Sequence, residues 1–383
     1  MNEFQQKLTT VSNHFSNGDL HLGFRQLVDC ILDTQQKEFY QLCIQHTEWL
    51  HEQEQPNELI VERSLEIIDR LKNVHVSSGD RSKALLTVNN LNKTYSGRRF
   101  KIENISMEIH PGDVWGLVGE NGNGKTTLLR ILAQDLSYDT GELTYHLGGT
   151  ELEKYDLRTK LTYIPQRTPG WFGSLKTNLK FTATHYGVKP DENELLVLMM
   201  IIRFGLWKYR NHQWSQLSSG FKMRFELART FLRSPKILLL DEPLANLDVL
   251  AQQLILEDLK SLSQSISNPV GIVLSSQQLF EVEKISDKVL FLKNGVPTHL
   301  SEANRLKAQS TSVIEFDVEA TREELNNALE TFSDIELSYN GGLYIATIGL
   351  PDAMNLLLAA FVQHNIKVKY IRDISHSTRR LFI

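Results

Sequence analysis

The sequence is poor in cysteine. Cys30 and Cys43 are the only two among 383 residues, and they match no metal-ligand spacing. The sequence therefore predicts buried thiols in a reducing compartment rather than a disulfide framework. Long apolar runs are missing as well: the longest, Leu195 to Ile202, is far shorter than the roughly 20 residues that a membrane-spanning helix needs. The N-terminus has no basic segment leading into an apolar run, so we expect no signal peptide.

The chain also lacks a strong excess of either charge. It has 41 Lys and Arg against 46 Asp and Glu, a net charge of −5 at neutral pH. Nothing in this balance indicates bulk binding to nucleic acid or to an anionic membrane surface. The composition, 41% hydrophobic and 23% charged, is that of a globular protein, and the length allows two or three domains.

Apolar residues recur at helical spacing in four segments near the start of the chain. Each apolar stripe covers one side only, which is typical of a small antiparallel helical bundle. The stripe of the first segment consists of Phe4, Leu8, Val11 and Phe15. The polar stretch 76–82 indicates a linker. We therefore predict an N-terminal helical domain over residues 1–80.

The rest of the chain has two textures. Over residues 84–300, short apolar strands alternate with helices, which predicts an α/β domain. Residues 310–383 have the predicted order β-α-β-β-α-β, which is typical of a small α+β ferredoxin-like unit. Within that unit, the pattern from Thr321 to Glu324 is a capping box, and Asn340 to Gly342 is a hairpin signal. The residues that we expect to face inward on its second helix, 351–364, are Leu356, Leu357, Ala360 and Phe361.

A phosphate-binding pattern lies inside the α/β region. Residues 119–127 fit G-x-x-x-x-G-K-[ST], between a predicted strand, Val114–Val118, and a predicted helix that follows. The glycines let backbone N–H groups point at phosphate oxygens. Lys125 is placed to reach the β- and γ-phosphates, and the hydroxyl of Thr126 can bind Mg²⁺. The predicted phosphate-binding residues are Gly119, Asn121, Gly122, Gly124, Lys125, Thr126 and Thr127.

Two acids follow a second apolar strand, Ile237–Leu240. At the carboxyl end of a buried strand beside a phosphate-binding loop, Asp241 can hold Mg²⁺. Its neighbour Glu242 can polarise the attacking water as a general base. The sequence thus predicts Glu242 as a catalytic residue and Asp241 as a metal and nucleotide ligand.

Between these motifs, Leu217 to Arg224 forms a Ser/Gly turn that opens an amphipathic helix. A hydroxyl N-cap and free N–H groups make such a turn an anion site, here at Ser218 and Gly220. The run Leu-Ser-Ser-Gly at residues 217–220 also resembles the signature motif of ATP-binding cassette (ABC) proteins, in a variant often seen in export-type cassettes.

Further ABC landmarks occur in the family's order, within residues 85–295, just over half of the chain. Tyr95 lies where the family places an aromatic ring that stacks on adenine. Gln166 matches the Q-loop glutamine, which senses Mg²⁺ and the transport partner. Ala245 to Asp248 matches the D-loop. The resemblance implies a P-loop NTPase fold, ATP as substrate, and Mg²⁺ held by Thr126, Gln166 and Asp241.

One position departs from the family pattern. ABC ATPases usually carry a switch histidine after a strand, but here the predicted strand Gly271–Leu274 leads through two serines to Gln277. A glutamine amide can still donate a hydrogen bond to a γ-phosphate. It cannot carry a positive charge, so we predict that Gln277 is a catalytic contact with weakened transition-state stabilisation.

The resemblance implies an ATP-hydrolysing subunit that works as a dimer, with Lys125 of one copy and Ser218 and Gly220 of the other on either side of each ATP. The second subunit is another copy or a related chain, and the further partner is a separate transmembrane permease, in an exporter. We expect a cytoplasmic protein, peripheral on the inner face of the cell membrane, and no nucleic-acid partner. The alternative is a soluble ABC ATPase with a regulatory or assembly role, because residues 1–75 and the C-terminal region are extra to a minimal cassette.

Two aromatic residues after the Q-loop, Trp171 and Phe172, leave a choice open. In the family this region faces the transmembrane partner, and exposed aromatics suit a protein interface. The same residues could equally pack under the helices of the cassette.

Overall fold

The computed structural model describes residues 2–52, 54–95, 100–148, 154–278, 282–298, 311–332, 334–340 and 342–375. Two compact units are present, Met1–Pro297 and Thr298–Ile383. Within the described residues, no helix is both long and apolar enough to cross a membrane.

The chain begins with four helices. They are α1 (Glu3–Ser16), α2 (Leu20–Thr34), α3 (Lys37–Glu52) and α4 (Asn57–Leu71). Asn2 closes a capping box at the start of α1, and Asp19 caps α2. The predicted stripe of α1 is fully buried, as a one-sided apolar pattern requires. Cys30 and Cys43 are buried free thiols, as predicted, and burial raises the pKa of each to about 12.

An α/β region follows. Its strands are β1 (Leu86–Thr94), β2 (Lys101–Ile109), β3 (Val114–Val118), β4 (Thr140–Tyr145), β5 (Leu161–Ile164), β6 (Ile237–Leu240), β7 (Gly271–Ser276), β8 (Lys288–Lys293) and β9 (Val296–Thr298). Its helices are α5 (Lys125–Leu132), α6 (Lys154–Lys160), α7 (Leu175–His185), α8 (Pro190–Arg203), α9 (Ser219–Phe231) and α10 (Val249–Ser263). The predicted strands β3 and β6 and the helix after the phosphate-binding loop are confirmed.

Two sheets organise this region. The larger has the order β5-β6-β7-β3-β8-β9, and its pairs from β5 to β8 are parallel. The smaller, β2-β1-β4, is antiparallel. All four residues of β6 are buried, which explains why this strand is a continuous apolar run. Because β5, β6, β7 and β3 are parallel neighbours, the residues that follow them meet at one edge of the sheet.

The four N-terminal helices share a compact unit with the α/β region. The polar stretch at 76–82 lies against that region as well: the Gly79 N–H donates a hydrogen bond to the carbonyl of Ile266, at 2.8 Å. The domain boundary near residue 80 stays a prediction, as do those near 300 and 310.

The second unit contains β10 (Ser312–Glu319), α11 (Arg322–Leu329), β11 (Ile335–Asn340), β12 (Leu343–Ile348), α12 (Met354–Gln363) and β13 (Lys367–Asp373). Its sheet is antiparallel with the order β11-β12-β10-β13, so the predicted ferredoxin-like topology is confirmed. The capping box at Thr321 is also present.

One detail of this unit was predicted wrongly. Leu356 is 53% exposed, whereas Leu357, Ala360 and Phe361 are buried as expected. The buried stripe of α12 is centred on residues spaced by three and four from Leu357, and Leu356 lies about 100° around the helix from it.

Candidate active site

The phosphate-binding loop has the backbone that its glycines allow. Gly122 and Gly124 have φ of 83° and 98°, in the left-handed region. Gly119 needs its missing side chain for another reason: a Cβ there would lie 2.4 Å from the carbonyl oxygen of Leu292. Helix α5 starts directly after Gly124, so its free N–H groups and the positive end of its dipole are available to an anion.

Lys125 is held inside the loop, and its side chain is only 4% exposed. Its ammonium donates to the carbonyls of Gly119 and Glu120, at 2.7 and 3.2 Å. It also lies 3.5 Å from Oε1 of Glu242. The cation is therefore fixed between the loop and the predicted general base.

Asp241 follows β6 and accepts three side-chain hydrogen bonds. Its Oδ2 accepts from the hydroxyl of Thr126, at 2.8 Å, and from that of Tyr163, at 3.2 Å. Its Oδ1 accepts from the hydroxyl of Ser275, at 2.8 Å. Burial, together with the charge of Asp241, raises the pKa of Tyr163, which keeps this phenol a donor. The carboxylate is thereby oriented toward the start of α5.

Sequence reasoning missed the roles of Tyr163 and Ser275. Tyr163 lies on β5 and Ser275 on β7, the two neighbours of β6 in the sheet. The available signal was a hydroxyl near the end of each of two apolar strands, but its meaning depends on knowing that these strands flank β6.

Glu242 is contacted by the side chains of two other predicted site residues, Gln166 and Gln277. Its Oε2 accepts from Nε2 of Gln166, at 2.9 Å. Both of its carboxylate oxygens are 3.0 Å from Nε2 of Gln277, which donates to them. The backbone of Glu242 is left-handed, with φ of 47°, and its N–H donates to Ser275 at 2.9 Å. Strain of this kind persists where the surroundings fix it, often at functional sites.

The oxygen ligands predicted for Mg²⁺ are close together. The hydroxyl of Thr126 touches the Asp241 carboxylate, and both are hard oxygen donors of the kind that Mg²⁺ prefers. Gln166 is hydrogen-bonded to Glu242, the neighbour of Asp241 in the chain. Its amide oxygen is a further possible oxygen ligand for the ion. The residues therefore fit a magnesium site beside the phosphate-binding loop.

Tyr95 and the Ser/Gly turn are not gathered with these groups. Tyr95 comes just after β1, and its ring centre is 6.2 Å from that of Phe100, which in turn lies close to Gly124. Residues 96–99 lie outside the described residues. Ser218 caps α9 by accepting from the Phe221 N–H, at 3.4 Å. In the described parts of the chain, no hydrogen bond joins Ser218 or Gly220 to the phosphate-binding loop.

The two aromatic side chains after the Q-loop have different environments in the structure. Trp171 packs inside: its Nε1–H donates to Glu226 at 2.7 Å, and the guanidinium of Arg229 lies 4.2 Å from its ring. Phe172 is 95% exposed. Core packing therefore accounts for Trp171 and leaves Phe172 free for a partner.

A parallel sheet with a phosphate-binding loop after β3 and two acids after β6 defines a P-loop NTPase. A family model described as ABC transporter matches residues 102–245. The lantibiotic transport ATP-binding protein SrtF of Streptococcus pyogenes is 34% identical over 212 residues, 55% of this chain and 88% of the relative. The chain belongs to the ABC transporter family; it is an ATP-binding subunit and an ATPase.

Other relatives include the phosphonates import ATP-binding protein PhnC of Treponema denticola, 26% identical over 228 residues, 55% of this chain and 87% of the relative. Among solved structures, cbiO1 from Clostridium perfringens, part of the ABC transporter complex cbiONQ, has a TM-score of 0.52 and 25% identity. That match covers 57% of this chain and 88% of cbiO1. The residues that the family model matches include neither α1–α4 nor the second compact unit.

Proposed function

We propose that this ATPase works as a head-to-tail dimer and drives a separate transmembrane permease. The observation that carries the proposal is that the predicted ATP-binding residues lie in two separate groups within one chain. Lys125, Asp241 and Glu242 are gathered around one loop, whereas the anion site at Ser218 and Gly220 shares no hydrogen bond with it in the described residues. A second copy in the opposite direction would bring this helix end to the γ-phosphate of an ATP on the first copy.

Each gathered residue has a task in hydrolysis. Lys125 and the N–H groups of the loop bind the β- and γ-phosphates. Glu242 accepts a proton from water as the water oxygen bonds to the γ-phosphorus and the bond to the bridging oxygen of ADP breaks. Gln166 and Gln277 orient Glu242 and reach the γ-phosphate through their amides. Mg²⁺, held by Thr126, Asp241 and Gln166, would neutralise charge on the phosphates.

Exposed aromatics support a permease contact. Phe172 follows Gln166 by six residues, and Phe181 on α7 is 70% exposed. Large exposed apolar side chains on a cassette surface suit a protein interface. The protein would therefore be bound at the cytoplasmic face of a membrane by its contact with the permease.

We favour export as the direction. The Leu-Ser-Ser-Gly signature supports it, because this variant is often seen in export-type cassettes. The name of the relative from Streptococcus pyogenes states lantibiotic transport without a direction. Other relatives carry import in their names, so the relatives alone do not decide the direction.

The second candidate is an ABC ATPase outside transport. The tight attachment of α1–α4 to the cassette favours it, because an added body that contacts the ATPase can regulate it.

The test begins with Glu242→Gln, measured by sedimentation velocity with ATP, with ADP and without nucleotide. The proposal expects a dimer with ATP only, and a variant that stays monomeric in ATP would contradict it. Co-expression with candidate permeases then separates the two functions. A transporter subunit co-purifies with its permease and shows ATPase activity stimulated by it, and Phe172→Ser weakens both. An ATP-dependent dimer that no permease binds would favour the regulatory alternative.

A further inference from the structure

Helices α9 and α10 pack against each other along a line of contact, called the seam below. It begins at the Ser/Gly turn of residues 217–220, the signature turn, and at the start of α10, which directly follows the D-loop. The hydroxyl of Ser219 donates to the carbonyl of Asn246, at 3.0 Å. A Cβ added to Gly220 would lie 3.1 Å from that of Ala251, so the two helices approach closely there. The seam continues inward for two further turns to Asp258 on α10. The angle between the two helices therefore fixes where the signature turn points.

Asp258 lies at the inner end of the seam. Its carboxylate is buried, with the side chain 1% exposed. Its Oδ1 accepts from Nη2 of Arg25 on α2 and from Nη1 of Arg203 on α8, each at 2.7 Å. Its Oδ2 lies 3.8 Å from Nε of Arg224 on α9 and makes no hydrogen bond among the described residues. One carboxylate thus connects four helices, and its free oxygen is the one nearest the signature helix.

The charges around Asp258 compensate each other. Arg203, itself 1% exposed, also pairs with Asp29 on α2. Arg25 pairs in addition with Glu257, at 2.7 Å. The three arginines near Asp258 are therefore matched by three acids, namely Asp29, Glu257 and Asp258. Buried charges are tolerated only when paired in this way, so a movement that separated one pair would leave an uncompensated charge between the helices.

Two of these six residues, Arg25 and Asp29, belong to the N-terminal helices. The same helices hold the loop after α10 through Asp33, whose Oδ1 accepts from the N–H groups of Ile266 and Ser267, at 3.0 and 3.2 Å. The N-terminal helices thus contact both α10 and the loop that follows it.

We propose that Asp258 is a positioning residue for ATP hydrolysis, and that Arg25 of the N-terminal helices controls the reaction through it. Arg25 and Arg203 hold Oδ1, which leaves Oδ2 directed at Arg224. A shift of α9 by less than 1 Å would bring that pair within hydrogen-bond distance. The bond then fixes α9, and with it Ser218 and Gly220, at the angle required to meet ATP. This inference rests on the proposed dimer, because the signature turn acts on the ATP of the other copy.

The test compares Arg25→Met with Lys37→Met. Both residues join the N-terminal helices to the cassette by ion pairs. Lys37 pairs with Asp191 and Glu192 on the surface, and among the described residues no ion pair connects it with Asp258. Arg25→Met removes the guanidinium, keeps an unbranched apolar side chain, and leaves Asp258 paired with Arg203. We expect kcat to fall roughly 3- to 30-fold in Arg25→Met with an unchanged KM for ATP, and to stay at the parent value in Lys37→Met.

Arg224→Met should give the same loss, and the double variant Arg25→Met/Arg224→Met should lose no more than one single variant, because both act through one carboxylate. Arg25→Lys should recover part of kcat. Thermal unfolding of each variant shows whether it is folded at the assay temperature. Equal kcat in Arg25→Met and Lys37→Met, or additive losses in the double variant, would overturn the proposal.

Different results would refute the proposed dimer and the proposed role of Arg25. In the Glu242→Gln background, we expect Arg25→Met to weaken ATP-dependent dimerisation. A Glu242→Gln protein that stays monomeric in ATP would refute the dimer. Equal dimerisation with and without Arg25→Met, in a parent that does dimerise, would refute the role of Arg25 and leave the dimer standing.

Discussion

The side-chain amide of Gln277 donates to both carboxylate oxygens of Glu242, at 3.0 Å each. Gln166 donates to the same carboxylate from the other side, at 2.9 Å. The position that carries histidine in most of the family is thus joined directly to the proposed general base. Since the contact is a hydrogen bond to a charged group, its loss has a measurable cost.

Gln277→Ala should lower kcat at saturating ATP. Loss of a hydrogen bond to a charged group costs about 1.5–3 kcal/mol, or roughly a 10- to 150-fold rate loss if it is made in the transition state. Gln277→His should retain or raise turnover, because imidazole also donates and can carry charge. The next residue, Gln278, is exposed, and Gln278→Ala serves as the control. A Gln277→Ala enzyme with the turnover of the parent would show that the contact plays no part in hydrolysis.

Lys125→Ala and Glu242→Gln should separate binding from chemistry. Lys125→Ala removes the cation that is placed on the phosphates, so we expect fluorescent ATP analogues to bind far more weakly. Glu242→Gln keeps the shape of the side chain but not its basicity, and should bind ATP while hydrolysing none. Both are measured against Lys101→Ala, a change at an exposed lysine. Normal hydrolysis in both variants would contradict the assignment of this site.

Tyr163→Phe should raise the Mg²⁺ concentration needed for half-maximal ATPase activity. The change removes one of the donors that orient Asp241 and adds no steric conflict. We expect a severalfold shift, in line with about 1 kcal/mol for one hydrogen bond. Tyr145→Phe is the matched control, because the Tyr145 hydroxyl donates to the carbonyl of Leu132, at 2.8 Å, and not to Asp241 in the part of the chain that the structure describes. The same Mg²⁺ dependence in both variants would exclude an orienting role for Tyr163.

Local patterns predicted the centre of the site. The phosphate-binding loop and the acids after β6 are contiguous in sequence, and each depends on a strand that an apolar run identifies. Gln166 and Gln277 could be placed only by resemblance to the ABC family. Tyr163 and Ser275 could not be assigned, because their task depends on the order of strands in the sheet.

The attachment of the N-terminal helices could not be predicted either. The sequence indicated a helical bundle followed by a polar linker. The structure shows in addition that Asp29 pairs with Arg203, and Arg25 with Asp258, across more than 170 residues of chain. A charged residue within an amphipathic helix is ordinarily solvated, and nothing local distinguishes one that is buried in an ion pair.

Protonation of His46 should make the stability of the fold depend on pH. His46 lies buried between α2, α3 and α4, stacked on Trp49 and 3.3 Å from the Ser64 hydroxyl. Burial, aided by the charge of Arg63, lowers the pKa of His46 from 6.5 to about 4. The unfolded chain therefore binds more protons between these values, so the stabilisation is complete above pH 6.5 and declines as the pH falls toward 4.

The shift corresponds to roughly 3 kcal/mol between the two limits. We expect the melting temperature of the parent to fall over this range by more than that of His46→Gln, measured by circular dichroism in matched buffers. His21→Gln, at an exposed position on α2, should follow the parent. If His46→Gln loses as much stability between pH 6.5 and 4 as the parent does, protonation of His46 does not contribute to acid unfolding.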